Sequence, residues 1–141
     1  MIGLAPDRDD VDTAARIRHA QVLLIDDATA VNELLAREVE SRLGCHVTAI
    51  PSVEELLSRD ELDDFDLALV DLAFAYSPLT GLDALYHLHT TSPRTTLAII
   101  TQGDEWLADL LRHAWEAFPI ATAISKNASI TALLDAIAGL L

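Results

Sequence analysis

Short apolar runs alternate with amphipathic stretches along most of the chain. The runs lie at residues 22–25, 47–50, 67–70, 97–100 and 120–124. Each is short enough for a strand and is followed by positions with helical spacing. Residues 29–43 carry Val31, Leu34, Leu35, Val39 and Leu43 on or near one face. The second stretch opens on Ser52-Val53-Glu54-Glu55, a capping-box pattern, and carries Leu56 and Leu57. The third, about 81–90, offers Leu82, Leu85, Tyr86 and Leu88. The fourth, about 104–117, offers Leu107, Leu110, Leu111 and Ala114, with Phe118 just beyond. The fifth, about 129–140, offers Ile130, Leu133, Leu134 and Ile137, with Leu141 at its end.

This alternation predicts a parallel sheet with helices on both faces. The first, third and fourth runs are apolar throughout, as strands covered on both sides must be. The second and fifth admit His46, Thr48, Thr122 and Ser125, which places them at the edges. The order that satisfies both conditions is 2-1-3-4-5. The expected fold is therefore α/β, a doubly wound five-stranded parallel sheet in a flavodoxin-like three-layer sandwich.

Composition sharpens this picture. Half of the 141 residues are hydrophobic, enough for one domain with a real core. Residues 1–20 are read as a flexible acidic segment, with Asp7, Asp9, Asp10 and Asp12, ahead of a domain over 21–141. The net charge of −14 argues against a direct nucleic-acid contact or an anionic membrane surface. No apolar run would span a bilayer, and the start MIGLAPDRDDVD lacks the basic and apolar parts of a signal peptide. A cytoplasmic protein is expected. The single cysteine, Cys45, has no disulfide partner and reads as a buried thiol.

The chemistry lies at the strand ends. The first strand runs into Asp26-Asp27, the third into Asp71, the fourth into Thr101 and the fifth into Lys126, the only lysine of the chain. In this topology ligands bind beyond the carboxyl ends of the strands, at the switch point between strands one and three. Adjacent aspartates after a buried strand repel each other, and desolvation adds to the penalty. A capping role for Asp27 on the following helix explains one of them. A cation explains both. Carboxylates, a hydroxyl and an ammonium at one rim make a hard-oxygen site suited to Mg²⁺. A carboxylate there can take a phosphoryl group as an aspartyl phosphate.

With these residues in place, the chain resembles the receiver domain of two-component response regulators, a CheY-like module, from residue 21 to the C-terminus. The resemblance rests on Asp26-Asp27, Asp71, Thr101 and Lys126, each at a strand end and in the right order. It implies that Asp71 accepts a phosphoryl group from a sensor histidine kinase. It implies Mg²⁺ on Asp27 and Asp71, on Asp26 mainly through water, and on the backbone carbonyl of Ala73. Thr101 would hydrogen-bond a phosphoryl oxygen and Lys126 would ion-pair with it. The chain would catalyse at most its own phosphoryl transfer and autodephosphorylation. Its output would be a protein contact, including a homodimer through the fourth helix, fifth strand and fifth helix, or through the fifth helix.

The departures from the family pattern concern output. Asn127 follows the lysine where proline is usual, and Ala123 stands where a switch aromatic is expected. Gln102 replaces a small residue after Thr101, and the loop after Asp71 carries Phe74 and Tyr76. Trp106, Trp115 and Phe118 are the candidate substitutes for the aromatic. These departures keep open an atypical receiver-like module that works by phosphorylation-independent dimerisation or by binding a partner or ligand. A Mg²⁺-dependent phosphatase is opposed by Ala73, where a second acid is required. His87 and His89 are two apart on a helix and point to different faces, so they do not form a metal pair.

Overall fold

The structure of the protein is a computed structural model that describes residues 15–59, 65–72, 79–101 and 108–141. Strands and helices alternate as β1 (Gln21–Ile25), α1 (Thr29–Leu43), β2 (His46–Ile50), α2 (Val53–Ser58), β3 (Leu67–Asp71), α3 (Gly81–Thr91), β4 (Thr96–Thr101), α4 (Ala108–Ala117), β5 (Ile120–Ser125) and α5 (Ile130–Leu140). The strands pair in the order β2-β1-β3-β4-β5, every pair parallel. This is the flavodoxin-like, CheY-like three-layer sandwich expected from the apolar runs.

The chain marks its own helix ends. Ser52 Oγ accepts the Glu55 N–H at 3.1 Å to start α2, and Ser129 Oγ accepts the Ala132 N–H at 3.2 Å to start α5. Helix α3 begins in a full capping box: Thr80 Oγ1 takes the Leu82 N–H, and Asp83 reaches back to the Thr80 N–H at 2.8 Å. Gly44 closes α1 with φ 79, in the left-handed region that favours glycine.

Side chains alternate across each strand and so divide the core in two. Leu23, Ile25, Ala68, Val70 and Ile99 meet residues from α2, α3 and α4. Val22, Leu24, Leu69, Ala98 and Ile100 meet Leu35 and Val39 of α1 and Leu133, Leu134 and Ile137 of α5. The edge strands β2 and β5 are only partly buried, as their mixed composition predicts.

Three residues assigned to buried helical faces are instead exposed: Leu34, Leu57 and Tyr86. Each follows or precedes a fully committed core position, such as Leu35, Leu56 or Leu85, and one residue turns about 100° around a helix. The contact stripe on these helices is narrower than the apolar pattern. Cys45 is buried, and burial raises its thiol pKa, against a lowering backbone hydrogen bond. Among the described residues, no helix is long and apolar enough to cross a membrane.

Candidate functional site

The register of the sheet decides which strand ends meet. Ile25 pairs with Val70, so Asp26 follows β1 beside Asp71, the last residue of β3. Asp71 in turn lies opposite Ile100, and Thr101 lies opposite Ser125. The Lys126 N–H donates to the Thr101 carbonyl at 2.8 Å, which holds the lysine at the same rim. The five residues picked out at strand ends are thus neighbours in space. Strand alternation sends Asp26, Asp71 and Lys126 toward the α1 and α5 layer, as it does Leu24, Leu69 and Ile124. Thr101 follows Ile99 toward the α3 and α4 layer.

One carboxylate oxygen from each of Asp26, Asp27 and Asp71 lies within 4.8 Å of the other two. Asp26 is 1% exposed and Asp71 6%, while Asp27 is half-buried and open to solvent. Asp26 Oδ1 accepts the Ala28 N–H at 3.0 Å, and its Oδ2 is ion-paired with Lys126 Nζ. The same ammonium lies 3.2 Å from Asp71 Oδ2. The lysine head therefore bridges the acid after β1 and the acid ending β3, and its side chain is only 8% exposed. Its stem runs past an apolar pocket of about 320 Å³ bordered by Leu35, Ile100 and Leu133. Such a stem packs against apolar surface while its charged head stays among polar groups.

By sequence, Asp27 is a candidate cap for α1. In the fold the N-cap position is Ala28, which has no capping side chain, and it is Asp26 that takes the Ala28 N–H.

Three carboxylates and one ammonium leave the cluster short of positive charge. A divalent cation bound by carboxylate oxygens and water would compensate it, and the donor set fits Mg²⁺. Asp27 is the least buried of the three.

Burial alone lowers the pKa of Lys126, but the bond to Asp26 and the charges of Asp71 and Asp26 outweigh it and raise the pKa above the ordinary 10.5. A raised folded pKa means that the ammonium's stabilising contribution is complete below the unfolded pKa, about 10.4. It is lost as pH rises through the folded value. Denaturant midpoints of the native chain and Lys126→Met should accordingly differ most at pH 8 and converge at strongly alkaline pH. A constant gap would contradict the bridging geometry.

Lys126 leads into a tight turn: the Asn127 N–H donates to Ser125 Oγ at 3.1 Å and the Ala128 N–H to the Ser125 carbonyl at 3.2 Å. Ser125 thus shapes the turn that follows Lys126. Ala123 is exposed on β5 and borders a groove of about 480 Å³ with Leu111, Arg112 and Trp115. Trp115 is 51% exposed, so it is not packed in the core; Phe118 packs partly against it. Ala73, Phe74, Tyr76, Gln102, Gly103 and Trp106 lie outside the described residues. The histidines stay away from the rim: His46 is exposed on β2, His113 Nδ1 bonds the Asp109 carbonyl, and His89 meets the Phe118 ring edge-on.

Two site residues gave no signal in the sequence. Asn32, in α1, is buried and donates through Nδ2 to the Asp26 carbonyl. Gly81, at the start of α3, lies against the backbone of Asp71 and donates its N–H to the Leu72 carbonyl at 3.0 Å.

The sheet order and the rim together define a doubly wound α/β domain with an acidic, lysine-bridged pocket at its switch point. The chain belongs to the response regulator receiver domain family, whose model matches residues 22–138. Receiver domains are phosphorylation-based signalling modules of two-component systems, and Mg²⁺ binding in an acidic pocket is typical of them. The fold is shared with a CheY-like receiver domain protein from Methanospirillum hungatei JF-1, at TM-score 0.73 and 23% identity over 84% of this chain and 90% of that one. It is shared with Vibrio cholerae CheY4, at TM-score 0.73 and 17% identity over 87% and 99%. The response regulator TrrA of Thermotoga maritima, in complex with Mg²⁺ and BeF, aligns at TM-score 0.70 and 19% identity over 86% and 99%. No curated protein sequence matches the chain.

Proposed function

We propose that this domain is a phosphorylation-dependent switch that accepts a phosphoryl group on Asp71 from a sensor histidine kinase. The observation that carries this reading is the buried Lys126 ammonium shared between Asp26 and Asp71, with the carboxylate of Asp27 in the same cluster. An Asp71 oxygen attacks phosphorus, the bond from phosphorus to the donor imidazole breaks, and the electron pair leaves with the ring nitrogen. Negative charge grows on the phosphoryl oxygens as this happens. Lys126 is already 3.2 Å from Asp71 and needs little reorganisation to meet that charge. The Thr101 hydroxyl, at the end of the neighbouring strand, donates to a second phosphoryl oxygen. Asp26, Asp27 and Asp71 would hold Mg²⁺, which neutralises charge on the transferring group when bound.

The output is read as a protein contact, made to a partner or a second copy. With Ala123 exposed and no aromatic at that position, the α4, β5 and α5 face signals without the usual relay. The protein works in the cytoplasm, where such kinases present their phosphohistidine.

Titration with Mg²⁺ and then beryllofluoride, read by tryptophan fluorescence and calorimetry, tests this directly. The expected result is saturable binding of both, with the beryllofluoride response abolished in Asp71→Ala. Binding of Mg²⁺ with no response to beryllofluoride would point to the phosphorylation-independent module instead.

A further inference from the structure

The polar atoms of Asp26 are held from four directions. Its N–H donates to the Ile50 carbonyl at 3.3 Å, Oδ1 accepts from Ala28, Oδ2 faces Lys126, and its carbonyl accepts from Asn32 Nδ2. The first two contacts are made to main-chain groups, of Ile50 and Ala28. The Lys126 contact is part of the phosphoryl machinery. The Asn32 contact comes from a neutral side chain in the first turns of α1, and it ties that helix to the acidic loop.

Asn32 is only 4% exposed, and its Oδ1 has no hydrogen-bond partner among the described residues. A buried carbonyl oxygen without a donor costs free energy that a leucine would not. The following residues of α1 on the core side are Leu35 and Val39, so an apolar side chain suits the surroundings. A residue kept only for packing would therefore be cheaper as leucine. What asparagine supplies here and leucine would not is the Nδ2 bond to the Asp26 carbonyl. Groups that bond the ligands, or the waters, of a metal commonly set its affinity by 10- to 100-fold.

We propose that Asn32 is a positioning residue of the cation site. Its amide nitrogen fixes the main chain of Asp26, whose carboxylate is one of the three that would hold the cation. This inference rests on the reading of the acidic rim as a Mg²⁺ site. It adds a neutral, buried residue to a site otherwise made of charges and a hydroxyl.

The test uses the whole chain with Mg²⁺ as the probe. Affinity is measured by calorimetry, and thermal midpoints are measured in EDTA and in saturating Mg²⁺, for the native chain, Asn32→Leu and Asn32→Ser. The expected result is Mg²⁺ affinity lower by about tenfold or more in both variants. The upward shift of the midpoint by Mg²⁺ should shrink in parallel. If Asn32→Leu does not fold, Asn32→Ser decides the matter by the same criteria. Native affinity in the folded variants, or midpoints lowered equally with and without Mg²⁺, would overturn the inference and leave the phosphoryl-acceptor reading intact. Absence of Mg²⁺ binding by the native chain would overturn both.

Discussion

Gly81→Ala is expected to destabilise the domain by about 3 kcal/mol or more, at the upper end of overpacking costs. A Cβ at this position would sit 2.1 Å from the Asp71 carbonyl oxygen and 2.6 Å from the Leu72 Cα. Both are backbone atoms, so no side-chain rotation relieves the contact. Either α3 moves away from β3 or the end of β3 moves. Both routes disturb the residue that carries the acceptor carboxylate. The loss of stability should therefore come with weaker Mg²⁺ binding, unlike an ordinary core defect far from the rim. Denaturant unfolding of the variant measures the first effect and calorimetry the second. A change within about 0.5 kcal/mol, the range of neutral surface substitutions, would contradict the close packing described.

Lys126→Met should have an effect of comparable size, and on two separate quantities. The lysine is the shared partner of Asp26 and Asp71, both buried. Removing one partner of a buried ion pair leaves uncompensated charge and costs about 3–5 kcal/mol. The methionine keeps the apolar stem contacts, so the loss is assigned to charge rather than packing. A divalent cation would restore part of the balance, so Mg²⁺ should raise the thermal midpoint more in the variant than in the native chain. Phosphoryl uptake should fall by about 10²- to 10³-fold, as when a preorganised donor to a developing oxyanion is removed. Near-native uptake would take Lys126 out of the mechanism. A native-like midpoint in EDTA would mean that the bridge contributes little to the fold.

The sheet was legible because parallel strands buried on both faces leave continuous apolar runs, and edge strands do not. Once the order was fixed, the residue ending each run had to appear at one rim. That is why Asp26, Asp27, Asp71, Thr101 and Lys126 could be named together. What stayed hidden depends on contacts between residues distant in sequence, or on a side chain's direction. Gly81 matters because of the Asp71 and Leu72 backbone beside it, and nothing near Gly81 in sequence records that approach. Asn32 lies inside a helix, where a polar residue most often means a solvated face, yet it is buried. The lysine could be assigned to Asp71 by position, but its reach to Asp26 follows from the strand alternation that puts both on one side. Leu34, Leu57 and Tyr86 passed as core because periodicity marks a stripe wider than the one neighbouring elements cover.

The most direct measurement is the intact mass of the native chain after incubation with Mg²⁺ and a small acyl phosphate donor. Asp71→Ala and an EDTA control are run beside it. The expected result is a mass gain of one phosphoryl group that is labile to hydroxylamine, requires Mg²⁺ and is absent from Asp71→Ala. A gain that persists in Asp71→Ala would move the acceptor elsewhere. No gain in the native chain, with Mg²⁺ bound and a phosphorylated cognate kinase also failing to transfer, would contradict the switch and leave a receiver fold that signals by contact alone.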